Sequence, residues 1–545
     1  MPSTLPTFTT PRRQLLGVPD DVTGRGVCIA LTDQFLPPHP DLTPGRERKV
    51  LWLDGRGDPF DPEKTAQVRP AVRQHGLGRA AVAGGSGASS GGAFAGVAPH
   101  VTLVLLNWNV ARGEFGKNPR GQEDCLQFLD QHAATFGIRA VQFGALGDRT
   151  GPLVPWQWDG QRRWCERLSS KGILVVAGTG NCPGSFMPVS LAPSALAVGG
   201  LDLPVAPGEA ARGFHSPEGT SFEGKPVPDC RAPAERVVVP SVATAETSGL
   251  AGVPPRHTVQ EGIALAESFA LGLLACLWQK HPDLDPWTTR AVLAQAARSP
   301  SSRFGGLAIG LPTWGAIEEA IQSISRLPAP PLSPYERYEA VQQMPWHERM
   351  ALLRDHPEQA ADLLLNSLPD RAPADQGNEL VACYQRASNP RVRAAVVLLL
   401  SPLEEETRAE HPTLDKALFD DSALVLGCAL EVMRRCPALA RKRERHVASL
   451  INYPDGQVRY QASLVAEAAP DETYLRPLVQ GMKRDLDEQN LIGFFARKRC
   501  LEHMTRQDHT PEIRKMLPGE CVYSDYLLGV YRECARRWLT WFQER

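Results

Sequence analysis

Residues Gln260–Pro282, QEGIALAESFALGLLACLWQKHP, read as a glycine followed by an apolar helix that ends at Lys280-His281-Pro282. A helix that is apolar on all sides must be buried on all sides. The chain therefore has to wrap a domain around it. Short apolar runs of strand type precede it. Val27–Leu31 has Asp33 just past its end, Ile173–Ala177 leads into the turn Gly178-Thr179-Gly180-Asn181, and Ala195–Gly200 is a further run. Strands alternating with helices imply a parallel sheet covered on both faces. Sites in such sheets form at the carboxyl ends of strands, where Asp33 and Asn181 fall.

Three segments carry candidate chemistry. In Gly26–Leu42, GVCIALTDQFLPPHPDL, Asp33 can orient a histidine and stabilise its imidazolium form. In Gln74–Gly84, QHGLGRAAVAG, His75 is a candidate general base, which belongs at a helix start facing a cleft. Gly96–Asn107, GVAPHVTLVLLN, follows it after a Gly/Ser-rich run. In Gly172–Gly200, Asn181 can aim a side-chain amide at a developing oxyanion. Taken singly, Asp33 and Asn181 are ordinary turn residues, and His75 is an ordinary surface or core histidine.

Their surroundings and order give them meaning. His39-Pro40-Asp41-Leu42 after Asp33, Gly96-Val97-Ala98-Pro99 after His75, and Gly262 through Gly272 to Lys280 resemble the corresponding segments of the subtilisin-like serine proteases. The order Asp33, His75, Asn181, position 264 is the order of that family. The resemblance runs from about Gly17 to Ser325, closing with GGLAIGLPTWGAIEEAIQSI at Gly305–Ile324. It implies an α/β subtilisin-like peptidase domain with Asp33 and His75 as catalytic residues and Asn181 in the oxyanion hole. It also implies substrate pairing as an added strand along Gly144-Ala145-Leu146-Gly147, with Gly178 beside an open first pocket. Some positions depart from the family. Gln34-Phe35 replaces a small polar residue and Gly, and Leu77-Gly78-Arg79 stands where the family has Thr-His-Val.

The largest departure is at the nucleophile. The family's Gly-Thr-Ser-x-Ala-x-Pro aligns with Gly262-Ile263-Ala264-Leu265-Ala266-Glu267-Ser268, so the serine position holds Ala264. A methyl group cannot attack a carbonyl. The chain reads as a serine endopeptidase inactivated by a Ser→Ala replacement, introduced by an experimenter or by evolution. In the second case it is a natural pseudoprotease acting as a peptide-binding adaptor. Gly219-Thr220-Ser221 is a literal Gly-Thr-Ser, but FEGKPVPDCRAPAERVVVP after it contains no apolar helix and resembles the segment that precedes the nucleophile. Cys182 beside Asn181 lacks the electropositive niche of a reactive thiolate.

With 545 residues the chain needs two or three domains. Residues 1–16 read as an N-terminal tail, 17–325 as the peptidase domain, and 326–335, RLPAPPLSPY, as a Pro-rich linker. Residues 336–545 are poor in glycine and rich in Leu, Ala, Arg and Glu at helical spacing. Asn389, Asp421 and Asp455 each precede an apolar residue at +3 (Val392, Leu424, Val458), a small or apolar one at +7 (Val396, Cys428, Ala462) and a leucine at +9 (Leu398, Leu430, Leu464). That register suggests a HEAT-like α-solenoid able to bind a regulatory protein or a substrate.

A formal net charge of −2 and a pI near 6.7 provide no field for nucleic acid or an acidic membrane. The twelve cysteines lack CxxC pairs, which argues against zinc and against a disulfide scaffold. Several sit in apolar runs, as reduced thiols do. With no signal-like or transmembrane-length run, the expected location is the cytoplasm. About twenty-five residues precede the first strand, too few for a foldable prodomain. No cofactor or metal is called for, and a structural calcium ion is not indicated.

Overall fold

The computed structural model describes residues 6–545 apart from 47, 66–67, 119, 144–152, 185, 207–208, 243–249, 304–305, 325–332, 357–358, 368–376, 402, 404–407, 409–410 and 515–524. Its centre is a parallel sheet of β1 (Cys28–Asp33), β2 (Val50–Asp54), β3 (Thr102–Asn107), β4 (Ile138–Phe143), β5 (Leu174–Gly178), β6 (Leu196–Asp202) and β7 (Cys230–Glu235). The order across the sheet is β7–β6–β5–β4–β1–β3–β2. β1 lies between β4 and β3, with Asp33 paired to Asn107 of β3. Every residue of β1 and β5 is buried. That is why these strands read as continuous apolar runs rather than alternating ones.

Helices cover both faces. α1 (Arg12–Leu16), α2 (Pro70–Gly84) and α5 (Ile263–Lys280) contribute to one core, with α6 (Pro286–Ala296) and α7 (Trp314–Ile324) closing it. α3 (Gly121–Phe136) and α4 (Gly160–Ser170) cover the other face. Leu271, Leu274, Cys276 and Leu277 of α5 are fully buried, as its all-round apolar character requires. The N-terminal segment is more than a tail. Leu15 and Leu16 join the core, and the buried Arg12 guanidinium donates to the carbonyls of Phe94, Ala95 and Val238.

The C-terminal region is helical. α8 (Pro334–Gln343) starts inside the segment expected to be linker, because Ser333 and Glu336 form a capping box around Pro334. The rest of that segment, 326–332, lies outside the described residues. Helices Pro390–Leu399, Ala423–Arg434, Gly456–Ala468 and Leu491–Thr505 pack one on the next. Their starts are 33, 33 and 35 residues apart. Asn389 and Asp455 cap the first and third through their side chains, while Asp421 stands just before the second helix's N-cap, Ser422. This row shares a hydrophobic core with Leu153 and Phe222 of the sheet domain. Arg391 Nε donates to the Phe222 carbonyl at 2.8 Å, and Gln457 Nε2 to the Gly184 carbonyl at 2.7 Å.

Candidate active site

Asp33 ends β1 with its side chain 5% exposed. One oxygen accepts from the Gln34 N–H at 2.7 Å, and the other lies 2.9 Å from His75 Nδ1. Burial pushes the Asp33 carboxyl up, but His75 and Arg79 outweigh it and hold it well below the usual carboxylate range. An ionised Asp33 fixes the imidazole through Nδ1, leaves Nε2 to the open side, and stabilises a proton taken up there. The His75 side chain is 53% exposed, so it remains accessible to substrate.

His75 is not at a helix start. α2 begins at Pro70, a residue favoured at the first helical position. Gln74 ties the added turn down by donating to the Pro240 carbonyl and accepting from the Val242 N–H. Gly76 is required because a Cβ there would come within 2.0 Å of the Phe35 carbonyl oxygen. The absence of that Cβ lets α2 lie against the loop after β1 and brings His75 to Asp33.

Ala264 is the second residue of α5. First-turn N–H groups have no intrahelical partner. Asn181, in the turn after β5, accepts from the Ile263 N–H at 2.8 Å through its side-chain oxygen. That bond sets the amide beside the head of α5. The Ala264 carbonyl accepts from Gln142 Nε2 at 2.7 Å and from Ser268 Oγ at 3.0 Å. Asp33, His75, Asn181 and Ala264 thus stand on four neighbouring elements at the carboxyl edge of the sheet.

Other candidates separate from this group. Ser221 Oγ bonds Glu223 at 2.8 Å in a hairpin whose Phe222 packs into the helical region's core. Gly144, Ala145, Leu146 and Gly147 lie outside the described residues. Gly178 is buried, and a Cβ there would strike Glu267 Oε1 at 2.5 Å and Ile263 at 2.6 Å. Gly178 therefore admits the head of α5 as well as flanking the site. No disulfide joins the described cysteines, and no cluster of metal ligands occurs among the described residues. Burial pushes the thiols of Cys28 and Cys276 up to about 12, which makes them packing groups.

Sequence reasoning noted Arg79 only as a departure and Glu267 only as part of the nucleophile segment, with no role. Arg79 Nη1 donates to Asp33 and to the Thr32 carbonyl, both at 2.7 Å. Its Nη2 lies 3.6 Å from Glu267. A cavity of about 790 Å³ opens elsewhere, with Trp108 on its wall and none of Asp33, His75, Asn181 or Ala264 lining it. Leu126, Trp164, Tyr335 and Tyr338 line it between α3, α4 and α8.

A parallel sheet with an Asp–His pair at its carboxyl edge, facing the head of a buried helix, defines the subtilisin-like arrangement of an α/β hydrolytic domain. Residues 24–308, more than half of the 545-residue chain, match the profile of the Subtilase family, and the chain belongs to that family. It is similar to the serine protease AprX of Bacillus subtilis (strain 168), 25% identical over 296 residues that make up 50% of this chain and 61% of AprX. The chain thus spans less than two thirds of that relative. Similar solved structures include fervidolysin from Fervidobacterium pennivorans, a keratinolytic enzyme related to subtilisin, at 17% identity and a TM-score of 0.42 over 58% of this chain and 45% of that one. Sphericase matches at 19% identity and a TM-score of 0.38, over 53% of this chain and 92% of that one.

Proposed function

We propose that this chain is a cytoplasmic subtilisin-like serine endopeptidase acting on a specific protein, held in an inactive form by alanine at position 264. The observation that carries the reading is the 2.9 Å contact of Asp33 with His75, opposite the head of the helix that bears residue 264. With serine there, the hydroxyl attacks the scissile carbonyl and His75 Nε2 takes its proton. Asp33 holds the imidazole, and the Asn181 amide and the N–H of residue 264 receive the oxyanion. Substrate pairs as an added strand along 144–147, and Gly178 flanks its first pocket. The helical row supplies a second surface that selects the protein or restrains the enzyme.

Ala264 itself favours a second reading, a natural pseudoprotease that binds a peptide segment and releases it intact. Ala264→Ser decides between them. The protease reading expects labelling by a fluorophosphonate reagent and hydrolysis of unfolded protein. Absence of both in a folded Ala264→Ser protein leaves the adaptor reading standing.

A further inference from the structure

Behind the Asp33–His75 contact lies a set of buried polar side chains. Arg79 is 2% exposed, Glu267 2%, and Gln142 and Ser268 0%. Arg79 bridges Asp33 to Glu267. Glu267 Oε1 accepts from the Gly178 N–H at 2.6 Å, and Oε2 accepts from Gln142 Nε2 at 2.8 Å. Gln142 Nε2 also reaches the Ala264 carbonyl, and its Oε1 accepts from Ser268 Oγ at 2.8 Å. An unbroken series of contacts therefore runs from His75 to residue 264. Burial outweighs the contacts with Arg79, Gln142 and Gly178 and holds the Glu267 carboxyl above the usual carboxylate range. Both of its oxygens accept N–H bonds, which is the bonding pattern of the ionised form.

A guanidinium 2.7 Å from Asp33 would by itself cancel the negative charge that favours a proton on His75. One guanidinium with two carboxylates leaves one net negative charge while His75 is neutral and none once it is protonated. That balance equals the balance of an aspartate facing a histidine with no other ion present.

We propose that Arg79 and Glu267 are matched positioning residues: Glu267 returns the negative charge that Arg79 takes from Asp33, and together they brace residue 264 against the Asp33–His75 pair. The proposal rests on the reading of His75 as the general base and Asp33 as its orienting group. On the elements packed against α2, the charged groups acting on His75 are Asp33 from β1 and Glu267 from α5. In the Pro40–Leu42 turn, Asp41 acts on Arg12, Arg48 and His39, and His257 also acts on His39. β-strand Val237–Pro240 carries no charged residue.

The test is an NMR titration of the His75 ring in the full chain with Ala264, the resonance being assigned by its loss in His75→Gln. Glu267→Gln should move imidazole protonation to lower pH, and Arg79→Met to higher pH, each by about one pH unit or somewhat less because the ring is half exposed. Arg79→Met with Glu267→Gln should return to the parent value, and Arg79→Lys should stay there. Shifts of the two single variants in the same direction, or no shift in Glu267→Gln, overturn the proposal. If Arg79→Met does not fold, Glu267→Gln still decides, since it leaves Asp33 paired with Arg79. The reading needs no hydrolysis, so an inactive Ala264→Ser protein would reject the protease assignment without touching this result. If Ala264→Ser is active, the acid limb of its kcat/KM profile should follow the same two opposite shifts.

Discussion

At Gly76 two physical expectations oppose each other. Alanine in a helix interior is favoured over glycine by about 1 kcal/mol. The Cβ it adds would lie 2.0 Å from the Phe35 carbonyl oxygen, a backbone atom that cannot swing away. Overpacking of this kind costs about 1–3 kcal/mol. Gly76→Ala should therefore destabilise the chain by up to about 2 kcal/mol in urea unfolding, despite its helix propensity. In an active Ala264→Ser background it should lower kcat by tilting His75 from Asp33. A stabilised Gly76→Ala protein would mean that α2 does not approach the loop after β1 as described. Arg79 belongs to the same scale. It was visible in the sequence only as an oddity, because its partner Glu267 is far along the chain and no local pattern joins a charge in α2 to one in α5.

Element by element, the sequence carried most where burial imposed a period. The runs at Val27–Leu31, Ile173–Ala177 and Ala195–Gly200 became parallel strands, and the apolar run after Gly262 became the central helix. It carried less where an exposed stretch decides the boundary, as at the Pro70–Gln74 turn of α2 and at the start of α8. The repeat register was legible through three helices and failed at the fourth. Counted from Asn490, the +7 position is Arg497, which is fully buried against Asp485, with Arg459 on the other oxygen. An ion pair there replaces the apolar contact and erases the signal. The caps yield a graded prediction. Asp455 accepts from the N–H groups of Gln457 and Val458 at 2.9 and 3.0 Å, whereas Ser422 makes no side-chain cap bond. Asp455→Ala should cost about 1 kcal/mol in denaturant unfolding, and Ser422→Ala distinctly less. Equal losses would show that these helix starts are held by packing alone.

Across the whole molecule, the helical row is bound to the sheet domain close to the loop that follows Asn181. Gln457 holds the Gly184 carbonyl, Arg391 holds that of Phe222, and Cys428 Sγ donates to that of Leu153 at 3.1 Å. Gly427 makes this approach close, since a Cβ there would meet Leu153 Cδ1 at 2.4 Å and Cβ at 2.8 Å. Gly427→Leu improves intrinsic helix propensity by roughly 0.8 kcal/mol, so any loss it causes must arise at the interface. The prediction is that the parent protein unfolds in one calorimetric transition, while Gly427→Leu separates it into two. In an active Ala264→Ser background, undocking should leave hydrolysis of short peptides nearly unchanged. Processing of the protein substrate should fall by about a hundredfold or more, because joining two modest sites multiplies affinity only while both can engage together. Faster cleavage of every substrate on undocking would instead make the helical row a restraint on the Asn181 loop. Unchanged processing with two separated transitions would leave it with no part in substrate selection.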